Sequence, residues 1–543
     1  MQDLPKIVSD LGLKWHEIEP YGWDKAKIPL HLITKKKVGK LVVVTAITPT
    51  PAGEGKTTTS IGLTDGLNKI GKKALLTIRQ PSLGPLFGRK GGGAGGGSAT
   101  VQPANDINLH FTGDFHAIES AHNFLAAMTD NAVRNYDFEN FHSSNISWRR
   151  VTDAEDRSLR KIVIGVGGKT NGPLRETGFD ISAASEIMAI MALAKNYKDL
   201  RQRLSEIVVG WTNDFIPVTA ADVGAVGSMM VLLKDALKPN LVQTNEGNAA
   251  IIHTGPFGNI AHGCSSIIAD NLALGLSDYV ITEAGFGADL GFEKFMDIKV
   301  RQGGTQPSVA VIVATVKALK WHGGIPGDEI LNTDVAALSR GGENLEHAIE
   351  IVRSYGLPVV VAINRFPSDH PDEIKEISRI SEEAGAVAAI EARGFSEGGD
   401  GMTELASVVA DTADRFESDV VLPYVDDASI FEKIETLASK FYKARSVSWG
   451  PMTRTTARRY HDQGWDFPIC VAKTHLSISA NSKLLGRPEG HIFPITELRV
   501  AAGARQIIAL AGDIMTLPGL PNVPNAFDID LDKMNQVQGL LGV

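Results

Sequence analysis

Thr50 to Thr57 reads Thr-Pro-Ala-Gly-Glu-Gly-Lys-Thr, and these residue types at this spacing can hold a polyphosphate. The general pattern is G-x-x-x-x-G-K-[ST]; Gly55, Lys56 and Thr57 match it, and Thr50 stands at the first glycine. Gly53 and Gly55 let the backbone turn so that successive N–H groups face phosphate oxygens. A helix starting at the loop would add its positive end. Lys56 would lie near the β- and γ-phosphates, and the Thr57 hydroxyl would ligate Mg²⁺. Thr50, Pro51, Ala52, Gly53, Glu54, Gly55, Lys56 and Thr57 are therefore the candidate ATP-binding residues. The competing reading is an ordinary glycine-rich turn.

Four further stretches carry types that suit chemistry. Arg79 follows an apolar run, where its guanidinium could hold a carboxylate or acyl phosphate by two parallel hydrogen bonds; alone it also reads as a surface arginine. Gly88 to Ser98 holds seven glycines beside Arg89 and Lys90. A flexible linker is one reading, and a loop that lets a bulky ligand approach the backbone is the favoured one. Thr282 to Asp289 offers two acids and Phe286 between glycines, a face on which a flat ring could stack. Asn364-Arg365-Phe366-Pro367 repeats that arrangement after another apolar run. His110, His116 and His122 lie six apart, wrong for a helical metal pair, and His262-Gly263-Cys264 lacks partners, so no transition-metal site is expected.

These residues need elements to hold them. Leu41–Ile47 reads as a valine-rich strand, Thr57–Ile70 as a helix ended by Gly71, and Ala74–Ile78 as a second strand. In a right-handed strand–helix–strand unit Arg79 then emerges at the same carboxyl edge as the loop. Apolar runs recur at Lys161–Val166, Tyr279–Thr282, Val309–Val316, Pro358–Ile363 and Gln506–Leu510, with helical patterns such as Ala183–Ala194 and Asn344–Tyr355 between them. The expected fold is α/β, a P-loop-containing multi-domain protein with mostly parallel sheets flanked by helices. Boundaries are expected near Asp369–Pro371 and Ser448–Pro451. They give a nucleotide-binding α/β domain with inserted segments over 1–368, a second α/β domain over 369–450 contributing to the substrate site, and a C-terminal α/β domain over 451–543.

With 54 basic and 63 acidic residues the net charge is −9, which argues against a nucleic-acid groove. Lys35-Lys36-Lys37, the only triple-lysine run, reads as a solvated turn before a strand. Two cysteines, Cys264 and Cys470, give no disulfide framework and suit a reducing cytosol. No signal peptide and no stretch long enough to span a bilayer are apparent, so a cytoplasmic location is expected.

Taken together the stretches resemble formate–tetrahydrofolate ligases along nearly the whole chain. The resemblance rests on the loop with Thr50 at its first position, on Pro81-Ser82-Leu83-Gly84-Pro85 with the glycine cluster after it, and on Asp106 to His116. It extends to Val313 to Lys320 with Gly323-Gly324, to Gly512-Asp513-Ile514-Met515-Thr516, and to Pro518-Gly519-Leu520-Pro521. Such enzymes join formate to tetrahydrofolate with ATP and Mg²⁺ through formyl phosphate, giving 10-formyltetrahydrofolate, ADP and phosphate. The resemblance implies a monofunctional enzyme and a homotetramer, with Lys56 and Arg79 catalytic and Thr57 on the metal. It implies Phe286, Phe366, Pro367 and Phe395 as folate or substrate contacts. Gln80 replaces a glutamate tied to monovalent-cation activation, which leaves that dependence open. Phe395 stands where a tryptophan is common, and Ser98 where a tyrosine is. The competing functions are a ligase of another small carboxylate and a non-enzymatic ATP-switched scaffold, although the second lysine of such switches is missing from Thr50–Gly55.

Overall fold

The computed structural model describes residues 2–34, 38–51, 53–135, 140–417, 419–512 and 514–540. The lysine run 35–37, Ala52 and Asp513 lie outside them. Among the described residues the largest sheet has twelve strands. Eight of them matter here: β1 (Lys40–Ala46), β2 (Ala74–Ile78), β3 (Asn240–Thr244), β4 (Ala249–Ile252), β5 (Tyr279–Glu283), β6 (Val309–Ala314), β7 (Val359–Asn364) and β8 (Ala388–Ala392). Their spatial order is β3-β4-β2-β5-β1-β6-β7-β8. From β4 to β8 every neighbouring pair is parallel, and only β3 runs antiparallel to β4.

The apolar runs become central strands because both faces of this sheet are covered. Along β1, Leu41 and Val43 face one core while Val42, Val44 and Ala46 face the other. β6 alternates in the same way, with Ala310, Ile312 and Ala314 on the first side and Val309, Val311 and Val313 on the second. A two-residue period thus feeds two hydrophobic layers, and each fully buried valine contributes about 1.5–3 kcal/mol of transfer free energy.

Helix α1 (Lys56–Lys69) leads from β1 to β2, yet these strands are not neighbours: β5 lies between them. The chain leaves β1 toward the β2 side and later crosses from β5 to β6 on the other. β1 therefore sits where connections diverge, the place at which open α/β sheets form a ligand crevice. Between β2 and β4 a long insertion builds a second, largely helical core that includes helix α2 (Asp114–Asn135).

Two of the expected strands take other places. The run at Lys161–Val166 forms only a short strand, Ile162–Ile164, in an antiparallel hairpin with Arg175–Thr177, and its middle residue Val163 is exposed. Gln506–Leu510 lies in a separate three-stranded sheet, parallel to Ile469–Ala472 and antiparallel to Glu497–Ala501. The position Asp369–Pro371 falls between β7 and β8, neighbours in one sheet. Near Ser448–Pro451 the strand Ser446–Trp449 pairs with Ile492–Ile495 of the C-terminal region. Among the described residues no helix is long and apolar enough to cross a membrane.

Candidate active site

The loop after β1 is held from behind before it offers anything to a ligand. Thr48 donates from its N–H to Asn344 Oδ1 (3.0 Å) and from Oγ1 to Asp289 Oδ1 (3.1 Å), and its carbonyl accepts from His322 Nε2 (2.8 Å). Glu54 folds inward: Oε1 accepts from the Thr50 N–H (2.9 Å) and hydroxyl (3.1 Å), and Oε2 from the Thr315 hydroxyl (3.1 Å). Burial raises the Glu54 pKa against the pull of these donors and of Lys56. Thr50 and Glu54 thus shape the loop, while Pro51 is exposed. Gly53 and Gly55 have φ of +77° and +74°, in the left-handed region that glycine enters without strain. Asn364, at the end of β7, donates from Nδ2 to the Glu54 carbonyl (3.1 Å), and a Cβ on Gly55 would lie 2.4 Å from that nitrogen.

Gly55, Lys56, Thr57 and Thr58 open onto a cavity of about 380 Å³ that also receives Arg79, Gln80, Lys90, Glu283 and Phe286. Burial lowers the pKa of Lys56, while Glu283 and Glu54 oppose the shift. The Thr57 hydroxyl donates to Glu283 Oε2 (3.3 Å), and Glu283 Oε1 is buried without a partner. A hydroxyl and a carboxylate with an unused oxygen are hard donors that fit Mg²⁺. Among the described residues there is no group of three His, Cys, Asp or Glu able to cage a metal. The ion would take its other oxygens from phosphates and water.

Arg79 leaves β2 at the same edge. Its Nη1 donates to the Pro256 carbonyl (2.9 Å), and its Nε is buried without a protein acceptor. The anchored Nη1 leaves the Nε–Nη2 edge of the fork for a ligand. Gly285 lies beside it, where a Cβ would crowd the Gly263 carbonyl at 3.0 Å and touch both terminal nitrogens at 3.5 Å. Gln80 is buried beside it; its N–H donates to Thr254 O (2.7 Å), and its Oε1 has no partner.

The glycine cluster is packed rather than a free linker. Gly95–Gly96 pairs with Ala99–Thr100, and Gly93 N–H donates to Asn108 Oδ1 (2.9 Å). A Cβ on Gly92 would come within 2.4 Å of Asn108 Nδ2, and one on Gly93 within 2.8 Å of Pro81. The missing side chains let the backbone pack against Asn108 and Pro81, and Gly91, Gly92, Gly93 and Gly95 line the cavity.

Phe286 stands at φ +57°, rare for a bulky residue, and turns its ring into the site. His475 stacks on it (centroids 4.8 Å, 29°), and Lys90 Nζ lies 5.5 Å from its centroid. The His475 pKa is pushed down to about 4 by burial and by the nearby Lys90 and Lys473 charges. Behind Phe286 a second lobe of about 540 Å³ is shared with Pro85, Lys90 and Phe257. Phe366, Pro367 and Phe395 do not line the Arg79 cavity; they follow β7 and β8, on the other side of the loop. The Phe366 ring lies under Lys317 Nζ (4.6 Å). Phe395, 56% exposed, packs against Gly96 and Gly97, and its carbonyl accepts from the Ser98 N–H (2.8 Å).

Sequence reading noted Glu283 only as one of the two acids of Thr282 to Asp289, with no role, and left Lys473 and His475 out of the site. For Glu283 the signal existed, an acid directly at the end of an apolar strand. For the other two none did, because they arrive from the C-terminal sheet. Lys473 is fully buried and donates to Asp289 Oδ2 (2.7 Å) and Ser477 O (2.6 Å), tying that sheet to the phosphate loop through Asp289. His122 stacks on Trp148 (4.1 Å), remote from the loop, with its pKa pushed down to about 3 by burial.

Comparison with known proteins gives a family along the whole chain. The family model described as formate–tetrahydrofolate ligase matches residues 1–541. A protein of that name from Allorhizobium ampelinum is 52% identical over 541 residues, covering 99% of this chain and 97% of its own. One from Rhizobium johnstonii is 52% identical over 539 residues (98% and 96%), and one from Desulforamulus reducens 49% over 552 residues (99% and 97%). With the match running from end to end and the loop, its lysine and the arginine fork gathered in one crevice, the chain belongs to the formate–tetrahydrofolate ligase family.

Proposed function

We propose that this crevice joins formate to tetrahydrofolate at the expense of ATP, through formyl phosphate, giving 10-formyltetrahydrofolate, ADP and phosphate. The observation that carries the reading is the unused Nε–Nη2 edge of Arg79, opening beside Lys56 in the same cavity. A triphosphate on Gly53–Thr57 would bring its γ-phosphate to Lys56, and a carboxylate on the Arg79 fork would lie in reach of it. Phosphoryl transfer then needs mainly alignment and charge neutralisation, which the two cations and the loop N–H groups supply. Mg²⁺, held by Thr57 and Glu283, would neutralise charge on the β- and γ-oxygens.

Phe286 in the Arg79 cavity and Phe366, Pro367 and Phe395 beyond β6 would serve as the contacts for folate or substrate on either side of the phosphate loop. The folate approaches from the Phe286 side, where its N10 can reach a formyl group held by Arg79. N10 attacks the formyl carbon, the carbon–oxygen bond to phosphate breaks, phosphate leaves with the electron pair while Arg79 holds it, and the N10 proton passes to the departing phosphate or to water. Gln80 offers a neutral carbonyl oxygen where a carboxylate would bind a monovalent cation, so we infer a weakened requirement for potassium or ammonium. Assembly as a homotetramer in the cytoplasm belongs to the same reading. The test is ATP turnover with formate, carbonate and longer acids, with and without tetrahydrofolate. Formate-dependent ADP release that is lost in Lys56→Ala supports it, and release that does not depend on formate contradicts it.

A further inference from the structure

A third cavity, of about 400 Å³, shares no lining residue with the reaction cavity or with the lobe behind Phe286. It opens where the helical insertion meets the C-terminal strand Glu497–Ala501, and none of its groups enters the chemistry above. Trp148 and Trp211 reach it from the insertion, and Tyr460 from the helix Thr453–Asp462. Glu186, the first residue of the helix Glu186–Leu193, completes this part of the wall.

The charged groups of the wall satisfy one another, with one exception. Arg499 donates from Nε and Nη2 to the two carboxylate oxygens of Glu497 (2.6 and 3.0 Å). Arg149 gives Nη2 to the carbonyls of Arg160 and Phe179 (2.8 and 3.0 Å), and its Nε faces Asp180 Oδ1 at 3.4 Å. Glu186 is the exception. Its Oε1 accepts from the N–H groups of Gly503 (2.7 Å) and Ala504 (3.4 Å), which fixes the carboxyl. Its Oε2 has no partner among the described residues. His122 adds a second idle acceptor: Nε2 lies 3.2 Å from the Arg149 carbonyl and so carries the ring hydrogen, which leaves Nδ1 buried with a lone pair and no donor. Two arginines thus stand against Asp180, Glu186 and Glu497, and the wall is negative once Glu186 is ionised.

We propose that this cavity is a second ligand site, taking an aromatic organic cation whose ammonium or amidinium group donates to Glu186 Oε2. Idle acceptors call for a ligand that brings donors, and three aromatic side chains favour a flat, positively charged one. Burial pushes the Glu186 pKa up to about 8, so a cation bound near neutral pH must displace a proton from it. The groups that face Glu186 do not mask this. Burial holds the His122 pKa down to about 3 and pushes that of Tyr460 up to about 12, while Asp180 and Glu497 face the positive Arg149 and Arg499.

The probe is benzamidine, with benzamide as its neutral counterpart, titrated calorimetrically into the whole protein with and without saturating ATP. Wild type should bind benzamidine saturably, and ATP should not displace it. The Kd should be weaker by about tenfold or more for benzamide, and for benzamidine in Glu186→Gln, where an amide donor replaces the free acceptor. Benzamidine stays a cation across the working range, so its affinity should rise with pH up to about 8 and level off above it. Near pH 7 about one proton should be released for each benzamidine bound, read from buffers of different ionisation enthalpy. That proton is read on wild type alone, so the test stands even if Glu186→Gln does not fold. No saturable binding below about 10 mM, equal Kd in wild type and Glu186→Gln, displacement by ATP, or binding without proton release would each overturn the proposal.

Discussion

Replacing Arg79 by lysine keeps a positive charge at the carboxyl end of β2 and removes only the fork. The wild-type guanidinium spends Nη1 on the Pro256 carbonyl and retains Nε and Nη2 for the acyl phosphate. A lysine ammonium in the same space would lose one of the two charge-assisted bonds, which is about 1.5–3 kcal/mol. At about 1.4 kcal/mol per factor of ten, kcat/KM for formate should fall roughly 10- to 150-fold. Arg79→Ala removes both bonds, and the fall should approach 10²- to 10⁴-fold by the same arithmetic. The assay is formate-dependent ADP release, paired with the absorbance of the cyclised folate product after acidification. Circular dichroism on each variant separates a lost fold from a lost fork. A folded Arg79→Lys enzyme within about threefold of wild type would show that the fork does not hold the reacting group.

Gly55→Ala forces an alanine to φ +74° and pushes its Cβ against Asn364, costing about 1–2 kcal/mol in backbone strain and about 1 kcal/mol in the displaced hydrogen bond. The ATP KM should rise at least tenfold in a chain that still folds, and an unchanged KM would count against the loop assignment. Glu283→Gln removes the carboxylate beside Thr57, so the Mg²⁺ concentration for half-maximal turnover should rise by about tenfold; a Mg²⁺ titration that overlays wild type would remove Glu283 from the metal. Glu186 accepts from the N–H groups of Gly503 and Ala504, and burial pushes its pKa up to about 8. The folded state therefore binds its proton more tightly than the unfolded one. Its contribution is fully present below the ordinary carboxylate range and is lost as pH rises through about 8. Glu186→Gln keeps the acceptor oxygen, so thermal unfolding followed from pH 5 to 9 should lose part of its decline; the same slope in both proteins would contradict this.

The sequence was most legible where local rules decide. Lys40–Ala46 and Val309–Ala314 are strands because their runs are apolar on both faces, and Gly53 and Gly55 mark left-handed turns whatever lies around them. Arg79 could be placed at the loop's edge from the strand that ends just before it. The run at Lys161–Val166 misled because a short apolar stretch does not say how many of its faces are covered; Val163 proved exposed in a hairpin. Glu54 could be assigned to the phosphate loop, but its inward turn depends on Thr315, 261 positions away in the chain. Lys473 and His475 were hidden for the same reason. Their role depends on where the C-terminal sheet docks, which follows from a core shared with the central sheet and from the buried Lys473–Asp289 pair, not from local sequence.

Transfer of the γ-phosphate to formate before the folate reacts is the central claim, and isotope tracing tests it most directly. With formate labelled in both oxygens with ¹⁸O, one formate oxygen becomes the bridge of formyl phosphate. It stays with phosphorus when N10 displaces the phosphate. Mass spectrometry of the phosphate released in a single turnover with ATP and tetrahydrofolate should therefore find one ¹⁸O per molecule. Phosphate without label would mean that formate never attacks the γ-phosphate, and would contradict the catalytic roles of Lys56 and Arg79.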